Sequence, residues 1–381
     1  MWELLVTFFL AFIAMTMLLI IGVLVERALS KNIPVLTILR MIPYTVAETS
    51  RISLPMTLLL AVTTFFAKMS GNNEVIALKS LGIPPYTFLL PVMALGIFVS
   101  LFAVWVNEMA VTWGRAGINT VIYFSSEDIL LEQLKRTHTF ETDNITIMVK
   151  GVDNRRLISP TIALKKPPST IEAQSAQLKI DFAAQTLTVL LSNVKVEGAG
   201  AKYTGHDRTI PIALPQIVQD TNSNPSVSNM GFKKLTEEAE AVRENIDKQR
   251  RMIAAQKAFA GGMGAVDSWC SPEIRQRNSE NQALVKKLKR LEAEPPRRWA
   301  TSFSCFFFIW LGAPLAIWMK KADIFSSFFA CFVPVLLFYY PLLMYGMSGA
   351  KNGTLPAHSV WIANVCLGIV GFWFLRRIHR Y

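Results

Sequence analysis

The chain has 381 residues, and its composition excludes most classes of soluble protein. It is 52% hydrophobic and only 17% charged, with a mean hydropathy of +0.35, whereas soluble domains carry about 25% charged residues. A disordered chain, a collagen-like chain and a disulfide scaffold are therefore excluded. The net charge is +12, and in a membrane protein such a balance favours anionic lipid headgroups over nucleic acid.

Six apolar segments are of the length, about 20 residues, that crosses the hydrocarbon core of a bilayer as a helix. They are residues 4–25, 52–67, 86–106, 299–319, 324–346 and 358–375. The first lacks a basic leader and an A-x-A cleavage site, so we expect a membrane span and not a signal peptide. Prolines inside the segments indicate either ordinary kinks or hinges of a moving bundle.

The positive-inside rule favours one orientation of these spans by only a small difference in charge. With the N-terminus in the cytoplasm, the short cytoplasmic segments hold seven Lys and Arg and the short outside loops hold five. Arg297 and Arg298, beside the fourth span, weaken this difference. We therefore predict a cytoplasmic N-terminus and a large periplasmic region between the third and fourth spans.

The predicted domain organisation has four parts. Residues 1–107 hold spans one to three, residues 108–230 form an all-β, jelly-roll-like periplasmic domain, residues 231–298 form a helical hairpin, and residues 299–381 hold spans four to six. In the β domain, β-branched and alternating residues predict strands at 146–150, 178–182, 187–191 and 194–197.

The hairpin is predicted from apolar residues at alternating spacings of four and three on both sides of a glycine-rich break at 261–264. Pro295 and Pro296 are expected to end its second helix before the fourth span. The hairpin carries fifteen Lys and Arg against ten Asp and Glu. These charges indicate either solvated helix faces or a docking site for a partner.

The sequence contains none of the common catalytic or ligand motifs. It lacks a phosphate loop, an H-E-x-x-H motif, a G-x-S-x-G motif and a C-x-x-C pair. We therefore predict no catalytic residue, no cofactor and no metal site. The predicted spans also contain no Asp or Glu, which argues against an ion-coupled carrier. If the protein transports a substrate, its energy comes from a separate chain.

Residues 70–83, between the second and third spans, predict a short amphipathic helix. Asn72 is expected to cap it, Glu74 to favour its positive N-terminus, Lys79 its C-terminus, and Gly82 to end it. Such a helix is typical of the coupling helices of ATP-driven transporters, but an interfacial connector has the same pattern.

This segment and its surroundings resemble the LptF/LptG permease family of lipopolysaccharide export. The family has a Ser-x-x-Glu-Leu-x-Ala-Leu-like stretch that ends in Gly-Ile, and Glu74, Ala77, Leu78 and Gly82 occupy the matching places, with Val75 for the usual Leu. The resemblance covers nearly the whole chain; further similar segments are residues 149–153, 171–173, 187–196, 311–315 and 339–340. The hairpin is longer than the family leads us to expect.

The resemblance implies a multi-pass protein of the cell inner membrane that exports lipopolysaccharide and is not itself an enzyme. It implies a second permease subunit, in a hetero- or homodimer, and a cytoplasmic ABC ATPase dimer that docks on Glu74, Ala77, Leu78 and Gly82. It further implies lateral gates at spans one and five, and a periplasmic bridge protein with a similar β-jelly-roll.

Three cations follow the first span on the side where the positive-inside rule disfavours them. Arg27, Lys31 and Arg40 are candidates for binding the phosphates of lipid A, although interfacial anchors have the same pattern. The alternative function is a membrane-anchored scaffold or sensor whose hairpin binds a protein.

Overall fold

The computed structural model describes residues 2–31, 33–141, 145–153, 156–165, 168–181, 186–198, 201–213, 227–262, 272–319 and 324–380. The chain divides into two compact units. The first unit comprises Met1–Leu19, Val46–Gly114 and Ser226–Tyr381, and the second comprises Ile20–Thr45 and Arg115–Pro225. Each is described separately below.

The helices run past the apolar segments that predicted them. In chain order they are α1 Trp2–Lys31, α2 Val35–Gly71, α3 Glu74–Ser80, α4 Pro85–Met109, α5 Ala116–Phe124, α6 Ser126–Thr137, α7 Phe232–Gly262, α8 Pro272–Trp318, α9 Ile324–Pro334, α10 Tyr340–Asn352 and α11 Ile362–Arg380. Two π-helical segments connect α4 to α5 (Ala110–Arg115) and α9 to α10 (Val335–Tyr339). Short 3₁₀ turns cover Val227–Asn229 and Ala357–Trp361.

Six helical stretches of the described chain are long and apolar enough to cross a membrane, which confirms the predicted number of spans. They are Trp2–Leu29, Val35–Gly71, Pro85–Phe124, Pro272–Trp318, Ser326–Asn352 and Ala357–Ile378. An apolar run measures only the part of a helix inside hydrocarbon. The polar parts of α2 and α8 continue the helix beyond these runs, and composition alone does not reveal them.

The first unit is a helical bundle organised around the apolar half of α8. Cys305, Ile309 and Ala313 of α8 are fully buried. Small residues permit the closest contacts: a Cβ atom on Gly96 of α4 would lie 2.7 Å from Ile309 Cδ1, and one on Gly312 would lie 2.8 Å from Leu59 Cδ1. Such close approaches stabilise helix pairs in a bilayer, where no hydrophobic effect drives association.

The prediction that Pro295 and Pro296 end the hairpin's second helix is wrong. Helix α8 continues through both prolines from the hairpin into the fourth span. A proline inside a helix removes one backbone hydrogen bond and clashes with the preceding turn, so tertiary contacts must offset this cost. The neighbouring residues Leu291, Ala293 and Arg298 are almost fully buried, and they hold this turn in helical geometry.

Helix α7 and the first half of α8 pack side by side through the residues that predicted the hairpin seam. Leu235, Val242, Ile246 and Leu291 are buried there, and partly buried Ala239, Leu284 and Leu288 pack against them. Two ion pairs flank the seam, Arg243–Glu292 at 2.6 Å and Lys287–Glu238 at 2.7 Å.

The second unit contains one antiparallel sheet of eight described strands. Its strands are β1 Thr139–Glu141, β2 Ile145–Met148, β3 Gly151–Asp153, β4 Arg156–Ile158, β5 Thr161–Lys165, β6 Pro168–Asp181, β7 Thr186–Gly198 and β8 Ala201–Ala213. The long strand β6 pairs with β5 and then β4 on one edge and with β7 on the other, and β7 pairs with β8. Leu130, Leu131 and Leu134 of α6 pack with the buried face of the sheet.

The strand boundaries predicted from the sequence differ from those in the structure. The predicted strands 187–191 and 194–197 are parts of the single strand β7. Asn193, between them, adopts a positive φ of 55°, and its amide Nδ2 donates to Gln174 Oε1 at 2.8 Å. This residue breaks the sequence pattern while the strand continues, because Asn tolerates a left-handed conformation. Residues 108–137, grouped with the β domain by sequence, are helical.

Candidate functional site

Helix α3 is anchored to the bundle through one face. Val75 is 4% exposed and belongs to the same buried cluster as Leu4, Leu89 and Ile378. On the same side, Lys79 Nζ donates to the carbonyl oxygen of Ile378 in the last turn of α11, at 2.9 Å. A cation at the C-terminus of a helix is favourable because the last carbonyls carry partial negative charge. Helix α3 is thus fixed against the ends of several spans.

Gly82 ends α3 with a left-handed turn. Its φ is +78°, its N–H donates to Lys79 O at 3.0 Å, and the N–H of Ile83 donates to Leu78 O at 3.1 Å. These two bonds are those of a Schellman motif, in which a glycine adopts the conformation that a Cβ atom disfavours. The backbone conformation of this turn therefore favours glycine at position 82, independently of any role in coupling.

The N-terminus of α3 differs from the prediction. The capping residue is Asn73, with a φ of 58°, and its side chain makes no capping hydrogen bond. Asn72, which we expected to cap the helix, donates from Nδ2 to Glu74 Oε1 at 3.3 Å instead. The carboxylate of Glu74 still lies in the first turn, where the helix dipole favours it.

The opposite face of α3 is exposed. Glu74 and Ala77 are exposed, Leu78 is half-buried, and the large apolar side chains of Ile76 and Leu81 are 55% and 76% exposed. The exposed face of α3, with Leu81 directly after it, is therefore largely apolar and is bordered by one carboxylate. Of the predicted coupling residues, Glu74 and Ala77 lie on it, Leu78 supports it, and Gly82 ends it.

The three predicted phosphate-binding cations lie around the end of α1 and the start of α2. Arg27 and Lys31 are one turn apart on α1 and therefore share a face. Arg27 is half-buried, and Arg40 of α2 is exposed. Arg27 follows Glu3 by 24 residues, which is about 36 Å of helix. Since the hydrocarbon core is about 30 Å thick, α1 is long enough to carry Arg27 into a headgroup layer.

A charged cluster that the sequence did not predict lies where the hairpin joins the bundle. Arg298 is fully buried. Its Nη1 donates to Glu108 Oε2 at 2.9 Å, and its Nη2 donates to the carbonyl oxygen of Met230 at 2.6 Å. The guanidinium carbon also lies 5.2 Å from the centroid of the Phe232 ring. We call Glu108, Glu294, Arg297, Arg298 and Lys351 the hairpin-root cluster.

Glu108 joins the third span to the start of α7. Its Oε1 accepts a hydrogen bond from the backbone N–H of Phe232 at 2.7 Å, so this carboxylate caps the N-terminus of α7. The contact needs a small residue beside it, because a Cβ atom on Gly231 would lie 2.8 Å from Glu108 Oε1.

Glu294 completes the hairpin-root cluster. Its side chain is 1% exposed and accepts from Arg297 Nη2 at 2.6 Å and from Ser228 Oγ at 2.9 Å. Lys351, at the end of α10, lies 3.8 Å from Glu294 Oε1. The cluster therefore contacts α4, the start of α7, α8 and α10 in one place. The described residues contain no group of His, Cys, Asp and Glu that could hold a metal ion.

A sequence profile described as lipopolysaccharide export system permease LptF/LptG matches residues 1–377, essentially the whole chain. The chain belongs to the LptF/LptG family. A search of curated protein sequences found no match. Membership identifies this protein as a permease of lipopolysaccharide export, which acts with other components of an export complex and fits a multi-pass inner-membrane protein.

The hairpin-root cluster also explains one ambiguity in the sequence of this LptF/LptG protein. Arg297 and Arg298 weakened the predicted orientation because they were counted as free loop charges. Both are paired with carboxylates, and Arg298 is inaccessible to solvent. In the predicted orientation, this structural role accounts for two arginines beside the fourth span on the side that the positive-inside rule disfavours. One feature of the sequence does indicate this cluster. Glu108 follows the third span and Arg298 precedes the fourth, and the two side chains carry opposite charges.

We predict that Arg298→Met lowers the free energy of unfolding by about 3–5 kcal/mol, because it leaves the Glu108 carboxylate and the Met230 carbonyl without their buried partner. Thermal unfolding of the purified full-length protein in detergent measures the loss. Arg290→Met is the matched control: Arg290 is exposed on the same helix, and its replacement should change stability by less than about 0.5 kcal/mol. Equal effects of the two substitutions would contradict the assignment.

Proposed function

We propose that this chain is one of two permease subunits that take lipopolysaccharide from the outer leaflet of the inner membrane, driven by a separate cytoplasmic ABC ATPase dimer. The observation that carries the ATPase part of the proposal is α3: a short helix, fixed to the bundle by Val75 and Lys79, with an exposed face around Glu74 and Ala77. Such a helix transmits movement of a bound domain to the spans it contacts.

The N-terminus is assigned to the cytoplasm, which places α3 in the cytoplasm and the hairpin and the sheet in the periplasm. In this orientation the exposed face of α3 is accessible to an ATPase. Glu74, at the rim of the face, is assigned to contact a basic residue of that ATPase, and Ala77 and Leu78 to pack against it. Because Leu78 is half-buried, only part of its side chain is accessible for this contact.

The assignment of a second permease subunit rests on α1. Apart from residues near its N-terminus such as Leu4 and Phe8, which are buried in the bundle, α1 exposes large apolar side chains over most of its length. In a membrane these side chains face either lipid or another helix. Spans one and five are proposed as the lateral gates, and the sheet as the element that passes the lipid to a periplasmic bridge protein of similar fold.

Arg27, Lys31 and Arg40 are proposed to bind the phosphates of lipid A. Arg27 and Lys31 share one face of α1 at the depth of a headgroup layer, and Arg40 is exposed on the following helix. Arginine and lysine bind phosphate through charge-assisted hydrogen bonds. In this proposal Arg27 and Lys31 lie on the gate helix α1 itself and Arg40 lies on the helix that follows it, at the leaflet from which the lipid leaves.

We expect Glu74→Ala to reduce co-purification of the ATPase by up to about fivefold, because an exposed ion pair at the rim contributes up to about 1 kcal/mol. Quantitative mass spectrometry of the tagged complex from native membranes measures the ratio of the chains. Glu280→Ala removes an exposed carboxylate from the hairpin and should have no effect. Unaltered assembly and unaltered ATP-driven release of lipid in Glu74→Ala would exclude the coupling role. Purification of the wild-type chain without any ATPase would instead support the alternative, a membrane-anchored scaffold.

We expect the double variant Arg27→Glu/Lys31→Glu to lose most of its co-purifying lipopolysaccharide, because the introduced carboxylates repel the phosphates of lipid A. Thermal unfolding of the purified variant checks that the fold is retained. The control, Lys286→Glu/Arg290→Glu, makes the same change of charge on the hairpin and should retain the lipid. Equal lipopolysaccharide content in the two double variants would refute the assignment of these cations.

A further inference from the structure

An apolar crevice opens between the last three spans, in the first unit. Its volume is about 330 Å³, and it is lined by α8, the end of α9, the π-helical segment Val335–Tyr339, α10 and α11. Leu311, Pro334, Phe338, Leu342, Cys366 and Val370 form most of its wall. Leu311 is fully buried at its base, whereas Phe338 is 71% exposed at its mouth. The crevice therefore opens outward from the bundle.

The depth of the crevice follows from the helices that form it. Leu311 precedes Trp318, the last residue of α8, by seven residues, and Val370 precedes Arg377 of α11 by seven residues. Both separations correspond to about 10 Å of helix. Since each leaflet contributes about 15 Å of hydrocarbon, this wall of the crevice lies where the acyl chains of one leaflet end.

An empty crevice at this depth is unfavourable. Protein interiors are close-packed, and atoms that line a void lose dispersion contacts on one side. Water cannot fill the space, because the lining offers almost no polar atom and a buried water needs two to four polar partners. An apolar chain that enters from the bilayer fills it without such a cost.

Two arginines lie at the same end of α11, about two turns from the crevice. The Arg376 guanidinium carbon lies 4.5 Å from the Phe372 ring centroid, and that of Arg377 lies 5.3 Å from the Trp373 ring and 5.7 Å from the Trp318 ring. Both arginines are exposed. Aromatic rings hold these guanidinium groups at the depth where tryptophan marks the membrane interface.

We propose that the crevice binds one acyl chain of an anionic phospholipid whose headgroup contacts Arg376 and Arg377. The lining residues Val370 and Cys366 lie about 10 Å and about 16 Å of helix from Arg377, depths that a chain in that leaflet reaches. Basic groups at the ends of spans favour anionic headgroups. In the proposed orientation this is the cytoplasmic leaflet. The bound lipid would be a structural ligand and not the exported lipid, which leaves from the opposite leaflet. The inference does not depend on the identity of the exported lipid.

The bound chain would fill the gap beside the π-helical segment. Such segments interrupt the regular hydrogen bonding of a helix and occur frequently at functional sites. Pro334, directly before it, has no N–H and adds to the irregularity. A bound acyl chain therefore supports the irregular part of the fifth span from outside and fixes its spacing from α11.

Native mass spectrometry of the full complex, extracted from native membranes in mild detergent, counts the retained phospholipids. Cys366→Trp places a large side chain in the crevice, and Ile369→Trp places the same side chain on the lipid-facing surface of α11 outside it, where Ile369 is 65% exposed. We expect Cys366→Trp to retain one phospholipid fewer per chain than the wild type, with roughly tenfold lower occupancy, and Ile369→Trp to match the wild type.

The double variant Arg376→Gln/Arg377→Gln leaves the crevice unchanged and keeps the test decisive if Cys366→Trp unfolds. We expect it to retain a zwitterionic lipid in place of the anionic one, at lower occupancy. Equal retention of anionic phospholipid in wild type, Cys366→Trp and the arginine double variant would overturn the proposal. So would retention of lipopolysaccharide in the crevice, or a crosslink from a photoreactive residue at position 338 to a second permease chain in place of lipid.

Discussion

The first unit depends on the burial of one charged side chain. A guanidinium group removed from water is costly unless its charge is paired and its donors are used. The Arg298 group pairs its charge with Glu108, and it donates from Nη1 to Glu108 and from Nη2 to the Met230 carbonyl oxygen. These partners come from the end of the third span and from the turn before α7. Arg298 can therefore be buried only when α4, α7 and α8 meet, and Glu294 adds α10 to the same junction through Lys351. The helices of this part of the chain are assembled around that requirement.

Helix α8 connects the hairpin-root cluster to the other end of the bundle. Near its middle, where the hairpin half meets the apolar half, Arg298 belongs to the hairpin-root cluster. Near its C-terminal end, the carbonyl oxygen of Ile317 accepts a hydrogen bond from Ser70 Oγ at 3.4 Å, shortly before α3 begins. The LptF/LptG permease thus contains one long helix that reaches from the hairpin to the neighbourhood of the proposed coupling helix. A rigid element of this kind joins the two ends of a transporter without a flexible link, and the prolines within it are tolerated because the surrounding contacts fix their turns.

Sequence patterns predicted the features that depend on local chemistry. The number of spans follows from apolar length, and the end of α3 follows from Gly82, because a left-handed turn at that position needs glycine. The hairpin-root cluster was missed because Glu108 and Arg298 are 190 residues apart, and no spacing rule connects residues at that separation. The continuous helix through Pro295 and Pro296 was missed for the related reason that tertiary packing outweighed a local signal. The two π-helical segments have no sequence signature of comparable strength.

The central claim of this account is that α8 joins the hairpin to the membrane bundle as one rigid helix. The most direct measurement is the distance between spin labels at Met252, exposed on α7, and Leu101, exposed on α4, in a cysteine-free full-length chain reconstituted in lipid. A rigid junction predicts a single narrow distance distribution. A broad distribution, or several separate distances, would show that the hairpin moves independently of the bundle and would contradict the account.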